Sequence, residues 1–283
     1  MFLAQLKNEL SKLFGKKRTY IGFGAFLIAQ TAMLLIFKYT RWQEDFDRLL
    51  AGNGYLAAEY ISALTVALIM LWPQVALLMP LYVTLVGGDL VAKEAEDGTL
   101  RMILSRPISR LRLLLVKWIA GMVFTMVLVL ALGAIALGFA LLCFPWKGMF
   151  VFGQTQTEDA LTFSLFTAHQ GLALYAFAHI LMVINIVTLM SVAFMFSCFN
   201  MKPAAATILA LSFMFMNMVM EHIPFFERYQ NWFITHHLEC WFWVFRQPTP
   251  WPDILQSETV LVATSATAFV IGVMAFQVRD IKS

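Results

Sequence analysis

Long apolar runs separated by short polar stretches repeat along the whole chain. A bilayer core about 30 Å thick needs roughly 20 apolar helical residues to cross it. Six segments reach that length: 19–38, 61–87, 113–144, 170–199, 204–221 and 258–277. The third and fourth exceed it, so tilting, kinking or extension beyond the bilayer is expected. Trp72, Pro73 and Pro80 fall inside the second. Proline removes a helical hydrogen bond and crowds the preceding turn, which predicts a kink there. The pattern reads as an all-α polytopic membrane protein, with one transmembrane domain over 1–283.

Two stretches carry pattern without the length to cross. In residues 2–14, Phe2, Leu6, Leu10 and Leu13 recur at helical spacing, joined by Leu3 and Phe14. Gln5, Asn8, Glu9 and Lys12 take the other side. This predicts a helix over 1–18 lying in the membrane interface, with Lys16, Lys17 and Arg18 at anionic headgroups. The segment 222–257 holds four of the chain's eight tryptophans with many phenylalanines. Aromatic rings favour the membrane–water boundary. The segment reads as short interfacial or re-entrant helices before the last span, or as an amphipathic loop resting on lipid.

Composition agrees with lipid as the main solvent. The chain is 60% hydrophobic and 13% charged, whereas soluble domains run roughly 45–50% apolar and about 25% charged. A formal charge of +3 gives no reason to expect nucleic acid. Three scattered cysteines, Cys143, Cys198 and Cys240, imply no disulfide framework. The first apolar run begins after 18 residues and no small-residue cleavage site follows, so it reads as a retained anchor.

The distribution of charge sets orientation. Lys7, Lys12, Lys16, Lys17, Arg18, Lys93, Arg101, Arg106, Arg110, Arg112, Lys202, Arg279 and Lys282 fall on one side. Arg41, Arg48, Lys147, Arg228 and Arg246 fall on the other. The positive-inside rule then places both termini in the cytoplasm.

The spans offer little to drive transport. Lys117 lies near the start of the third and can snorkel, and Glu221 ends the fifth. His179 and Asn185 are the strongly polar residues deep in the fourth, and read as helix–helix hydrogen-bonding groups. A proton- or ion-coupled transporter usually keeps ionisable groups near midplane. No G-x-x-x-x-G-K-[ST] phosphate loop occurs. Energy for any work must therefore enter through a partner.

The connection between the second and third spans, 88–112, is the informative loop. It runs Gly87-Gly88-Asp89, then Lys93-Glu94-Ala95-Glu96-Asp97-Gly98-Thr99-Leu100, then Arg106-Pro107-Ile108-Ser109-Arg110, and leads to Lys117. Asp97 or Thr99 is placed to cap a short helix over 100–104, and Pro107 to stop it. By its residues alone it is either a docking surface for a soluble partner or a solvated connection.

This stretch resembles the type 2 ATP-binding-cassette permease family, the membrane subunits of many bacterial exporters. Glu94, Glu96, Gly98, Thr99, Leu100, Pro107, Arg110 and Lys117 match its pattern. The six-span layout, the amphipathic N-terminus and the short outer helices fit as well. The resemblance implies a non-catalytic subunit in a bacterial cytoplasmic membrane. Two permease chains, identical or homologous, would pair with two ATPase subunits. No cofactor would sit on this chain; ATP and Mg would be held by the partner. Segment 89–112 would act as the coupling helix. Glu94, Glu96 and Arg101 would make polar contacts with the ATPase, Gly98 and Pro107 would set the backbone path, and Asp97, Thr99 and Arg110 would belong to the same ATPase-coupling set. Asn200 to Pro203 would make a smaller second contact.

Two tempting metal readings are weaker. Met214, Met216, Met218 and Met220 alternate in the fifth span, but a helix cannot converge all four on one ion. His236, Glu239 and Cys240 would share a helical face, yet lack the two-histidine spacing of a zinc protease. The expected function is the permease of an ATP-driven exporter for an amphipathic or hydrophobic substrate. The alternatives are an ATP-independent secondary transporter or channel, and an intramembrane metal-dependent enzyme.

Overall fold

The computed structural model describes residues 2–105, 108–153 and 162–279. Six helices among them are long and apolar enough to cross a membrane. The chain begins with α1 (Phe2–Gly15) and α2 (Lys17–Tyr39), followed by α3 (Trp42–Gly52) and α4 (Ala57–Tyr60). The second crossing comprises α5 (Ala63–Pro73), a π-helical turn (Gln74–Leu78) and α6 (Met79–Glu96). A short α7 (Thr99–Leu104) precedes α8 (Arg110–Cys143). Strands β1 (Met149–Gly153) and β2 (Thr162–Phe166) form a two-stranded antiparallel sheet, with Met149 opposite Phe166. Then come α9 (Ala168–Cys198) and α10 (Pro203–Glu221), a 3-10 turn (Pro224–Trp232), α11 (Ile234–His237), α12 (Cys240–Trp243) and α13 (Trp251–Val278).

The centre of the bundle is α9, which packs against α6, α8, α10 and α13. It is apolar around its whole circumference, as a helix enclosed by other helices must be. Its hydroxyls serve as cross-links. The Ser191 hydroxyl accepts from the Trp118 indole N–H at 2.9 Å. The Ser265 hydroxyl donates to Thr188 at 3.0 Å. The Ser197 hydroxyl accepts from the backbone amides of Val91 and Ala92, both at 2.9 Å. Such hydroxyl bonds supply directional contacts where lipid removes the hydrophobic drive between helices. Close approach matters equally. A Cβ at Gly87 would lie 2.6 Å from the Met190 carbonyl oxygen, so α6 meets α9 at a distance only glycine allows.

The helix ends follow local chemistry. Thr167 and Gln170 form a reciprocal capping box at the start of α9. The Ser109 hydroxyl accepts from the Arg112 amide at the start of α8. The kink expected near Pro73 takes the form of the π turn, which Pro73 precedes and Pro80 follows. Gln74 is fully buried there, and its side-chain amide donates to the Met70 carbonyl at 2.9 Å. Gln30 of α2 reaches the same place, donating to the Leu132 carbonyl at 3.0 Å. This polar knot joins three crossings at the irregular turn.

Several boundaries differ from the sequence reading. The second crossing continues helically to Glu96 instead of ending at 87, because its charged last turns find partners described below. The connection to α8 is therefore short. The last helix begins at Trp251, well before 258, so Ser257 and Glu258 lie buried within it. The sheet and the helix α3 were not anticipated. They join through Phe46, whose ring lies 5.6 Å from Phe150 and 5.0 Å from Phe152. Finally, two residues of α1 depart from their expected sides. Glu9, assigned to its polar side, is 8% exposed, and Leu3, assigned to its apolar side, is 77% exposed.

The glycine contact yields a direct expectation. Gly87→Leu forces α6 from α9 and should destabilise the protein by about 1–3 kcal/mol, the usual penalty of overpacking. Gly24→Ala meets nothing within 4 Å and should hold or raise the unfolding midpoint. Thermal unfolding in mild detergent reads both. Equal midpoints for Gly87→Leu and wild type would contradict the packing described.

Candidate functional site

The face of the bundle that carries both chain ends also carries the α6–α8 connection. Its principal feature is a closed ring of four charges. Lys117 of α8 lies 2.9 Å from one Glu9 oxygen and 2.8 Å from one Glu94 oxygen. Lys12 of α1 lies 2.7 Å from the other Glu9 oxygen and 3.1 Å from the other Glu94 oxygen. Signs alternate around the ring and its net charge is zero. Three helices, α1, α6 and α8, are fastened at one point. Lys117 is 1% exposed and Lys12 is 40% exposed, so the ring runs from the protein interior to its surface. A second pair, Arg18–Asp89, ties the start of α2 to the same helix α6.

The ring sets the ionisation of its members. Burial alone would raise the Glu9 carboxyl, but the ammonium groups of Lys117 and Lys12 hold it below its ordinary value. Burial would likewise lower Lys12, and the two carboxylates raise it instead. The snorkelling expected of Lys117 does not occur, because its counter-charges come to it. The sequence signal was present in outline: a lysine two turns inside an apolar helix needs carboxylates nearby. Which carboxylates serve is decided by the docking of α1.

The residues expected to meet a partner fall into distinct positions. Glu94 faces inward to the ring. Its neighbours Glu96 and Asp97 are exposed and share Lys93, at 2.9 and 3.1 Å. Gly98 takes the left-handed backbone conformation, φ 72°, that turns the chain from α6 into α7. It occupies the cap position of α7, so neither Asp97 nor Thr99 caps that helix. The Thr99 hydroxyl donates back to the Glu94 carbonyl at 3.2 Å. In α7, Leu100 is buried and Ile103 packs on the core, while Arg101 and Met102 point outward. Arg110 turns away from this surface. It donates to the carbonyls of Phe276, Gln277 and Arg279 at 3.1–3.2 Å, closing the end of α13. Arg106 and Pro107 lie outside the described residues.

The family model described as ABC-2 family transporter protein matches residues 6–230. The chain belongs to the ABC-2 transporter family. No curated protein matches the sequence. Membership makes this chain the membrane permease component of an ABC transporter, a multi-pass transport subunit. The matched residues include the whole of the charge ring and α7.

The opposite face of this ABC-2 protein holds its other polar cluster. Cys240 donates to Glu258 at 3.2 Å, and Asn185 donates to the Leu238 carbonyl at 2.7 Å. His237 pairs with the Ser257 hydroxyl at 3.0 Å, and His236 with Glu221 at 3.2 Å. These bonds fasten the short helices α11 and α12 to three crossings, α9, α10 and α13. His236 and Cys240 sit on separate helices, so the shared face proposed for His236, Glu239 and Cys240 does not form. Burial raises the Cys240 thiol, and nearby Glu258 adds to this, opposite to what a metal thiolate needs. Among the described residues no three His, Cys, Asp or Glu side chains converge as a metal site. In α10, Met216 and Met218 are exposed on the outside of the bundle. His179 is buried, with its Nδ1 2.7 Å from the Tyr175 carbonyl of its own helix.

The ring makes two linked predictions. Lys117→Met leaves two facing carboxylates without their buried cation and should cost about 3–5 kcal/mol. Adding Glu9→Gln should restore part of that loss, since the remaining ring is then neutral. Chemical unfolding of the single and double variants measures the coupling. Loss of stability that simply adds would contradict a shared ring. The pH dependence follows from the lowered Glu9 carboxyl. Its stabilisation is complete above the ordinary value of 4.5 and is lost as pH falls through the lower folded value. Glu9→Gln should flatten the acid limb of the stability profile.

Proposed function

We propose that the protein is the permease of an ATP-driven exporter, coupled through the segment 97–109 to a separate ATPase. The observation that supports this reading is α7. It is a short helix rooted by Leu100 and Ile103, with Arg101 and Met102 free on the surface. It follows directly from Glu96, the end of a crossing that spans the bundle. Displacement of α7 would therefore act on α6, and the ring would carry it to α1 and α8.

In this proposal both termini and α7 lie in the cytoplasm, and α1 rests in the cytoplasmic membrane interface. Two ATPase subunits hold ATP and Mg, and a second permease chain, identical or homologous, completes the pathway. The arrangement belongs to a bacterial cytoplasmic membrane. Glu96, Asp97, Arg101 and Met102 meet the ATPase. Gly98 shapes the path, and Glu94, Thr99 and Arg110 support it from behind. The Asn200-to-Pro203 connection makes a smaller second contact; just before it the Phe199 carbonyl accepts from Arg279 at 3.1 Å. Outward transport of an amphipathic or hydrophobic cargo fits apolar spans with few fixed charges. Export direction is carried by the family resemblance.

The surface residues of α7 allow a clean test, because they are outside the stabilising ring. Arg101→Glu combined with Met102→Asp should weaken ATPase copurification about tenfold, equivalent to about 1.4 kcal/mol. The unfolding midpoint should stay at the wild-type value. ATP-dependent transport in proteoliposomes should fall in parallel. Undiminished copurification and transport would refute coupling through α7.

A further inference from the structure

The charge ring fastens α1, α6 and α8 to one another and leaves out α13. Arg110 supplies that connection. It is the first residue of α8 and follows the segment that carries α7. A cation there is disfavoured by the positive end of its own helix, and the first turn of α8 holds no acid to offset it. The compensation comes from α13. Arg110 donates to carbonyls at the end of that helix, where unpaired oxygens gather partial negative charge. Its guanidinium also lies 5.9 Å from the ring of Phe276, which is fully buried. Further along α8, the Trp118 ring stacks on Phe269 of α13 at 4.6 Å.

From that joint α13 runs unbroken to the opposite face. Its proline stands in the first turn, so none interrupts the 28 residues further along. The second crossing differs, because its π turn gives a displaced α6 a place to bend. α13 is also clamped to α9. Ser265 bonds Thr188, Arg279 bonds the Phe199 carbonyl, and a Cβ at Gly272 would lie 3.3 Å from Met195 and Cys198. At the far face this pair of helices holds α11, α12 and the turn between them by three side-chain hydrogen bonds: Ser257 with His237, Glu258 with Cys240, and Asn185 with the Leu238 carbonyl. On its other side α11 is held to α10 by His236 with Glu221 at 3.2 Å. Beside that pair, Thr235 and Ile234 of α11 meet Met214 and Asn217 of α10 around a small cavity, in which the buried Thr235 hydroxyl has no partner. If α9 and α13 shift relative to α10, the single bond is the one to give way.

We propose that α13, clamped to α9, carries displacement of the α7 segment to the opposite face and parts α11 from α10, and that Arg110 is the positioning residue that joins α13 to that segment. The inference rests on the coupling of α7 to an ATPase. It adds a route that bypasses the π turn, and it names the contact that opens at the far end.

The test uses the full-length chain in nanodiscs, purified through its ATPase so that every particle carries both. Cys143 is the exposed native thiol and Cys198 and Cys240 are buried, so Cys143→Ser with Thr235→Cys places a reporter in the α10–α11 cavity. Maleimide labelling in the Cys143→Ser chain gives the background. Turnover of Mg and ATP should raise the labelling rate at 235 about tenfold, the order expected when one or two hydrogen bonds are given up. Arg110→Gln should abolish that rise. Ser257→Ala, which loosens the far joint and leaves Arg110 in place, should lower it. Adding His236→Ala to Arg110→Gln should raise labelling without ATP, as befits a joint upstream of the α10–α11 contact. A full ATP-driven rise in both Arg110→Gln and Ser257→Ala would overturn the route through α13 and leave coupling at α7 standing. So would labelling that ignores ATP in a reporter chain that still transports. Loss of both the ATP response and ATP-driven transport in the wild-type background would overturn the coupling of α7 and this inference with it.

Discussion

An ammonium group that is 1% exposed, on a helix otherwise suited to hydrocarbon, constrains much of this structure. A charge so placed must have counter-charges, and its own helix offers none within reach. Lys117 draws Glu94 from the end of the second crossing and Glu9 from the N-terminal helix. Lys12 then balances the excess of carboxylate. The long helix α6 and the docking of α1 both follow from that requirement. So does the division of labour along the acidic stretch: Glu94 holds the bundle together, and Glu96 and Asp97 remain on the surface. An alternating ring is also a demanding joint, since displacement of any one helix strips a partner from two others. Motion at this face is therefore expected to involve α1, α6 and α8 as one body.

The opposite face is built on a different principle. There α11 and α12 are too short to hold themselves, and single hydrogen bonds attach them to surrounding crossings. Aromatic packing adds to this, with Trp72 of the second crossing 5.0 Å from the Phe242 ring and 6.2 Å from that of Trp241. The second crossing thus touches α12 towards one end and leads to α7 at the other. A firm ionic joint at one face and a looser set of neutral bonds at the other give the two ends unequal resistance to displacement.

The crossings were legible in the sequence because span-length apolar runs have few other uses. Their ends were less so. Residues 88–96 are charged, which reads as a loop, yet they stay helical because Asp89, Lys93 and Glu94 all find partners. Those partners lie far away in sequence, at Arg18, Lys12 and Lys117 as well as nearby at Glu96 and Asp97, and no local pattern reveals them. Residues 251–257 were misplaced for the same reason, since Ser257 is held by His237. The amphipathicity of α1 was readable, but the burial of Glu9 beside that stripe was not, because its partner Lys117 lies 108 residues away. The turn from α6 into α7 falls at Gly98, where the left-handed backbone conformation suits glycine. The role of Arg110 was hidden, because the end of α13 is 166 residues further along.

The π turn over Gln74–Leu78 has a consequence for the register of the whole second crossing. A π turn accommodates an additional residue within an otherwise α-helical path. It therefore sets the angular phase between Ala63–Pro73 and Met79–Glu96. Each residue of an α-helix advances the side chains by about 100°. A chain of this design that lost one residue from the wide turn would point Asp89 and Glu94 about 100° away from Arg18 and Lys117. The spacing between Pro73 and Pro80 is in that sense an alignment mark, keyed to charges that lie several turns below it.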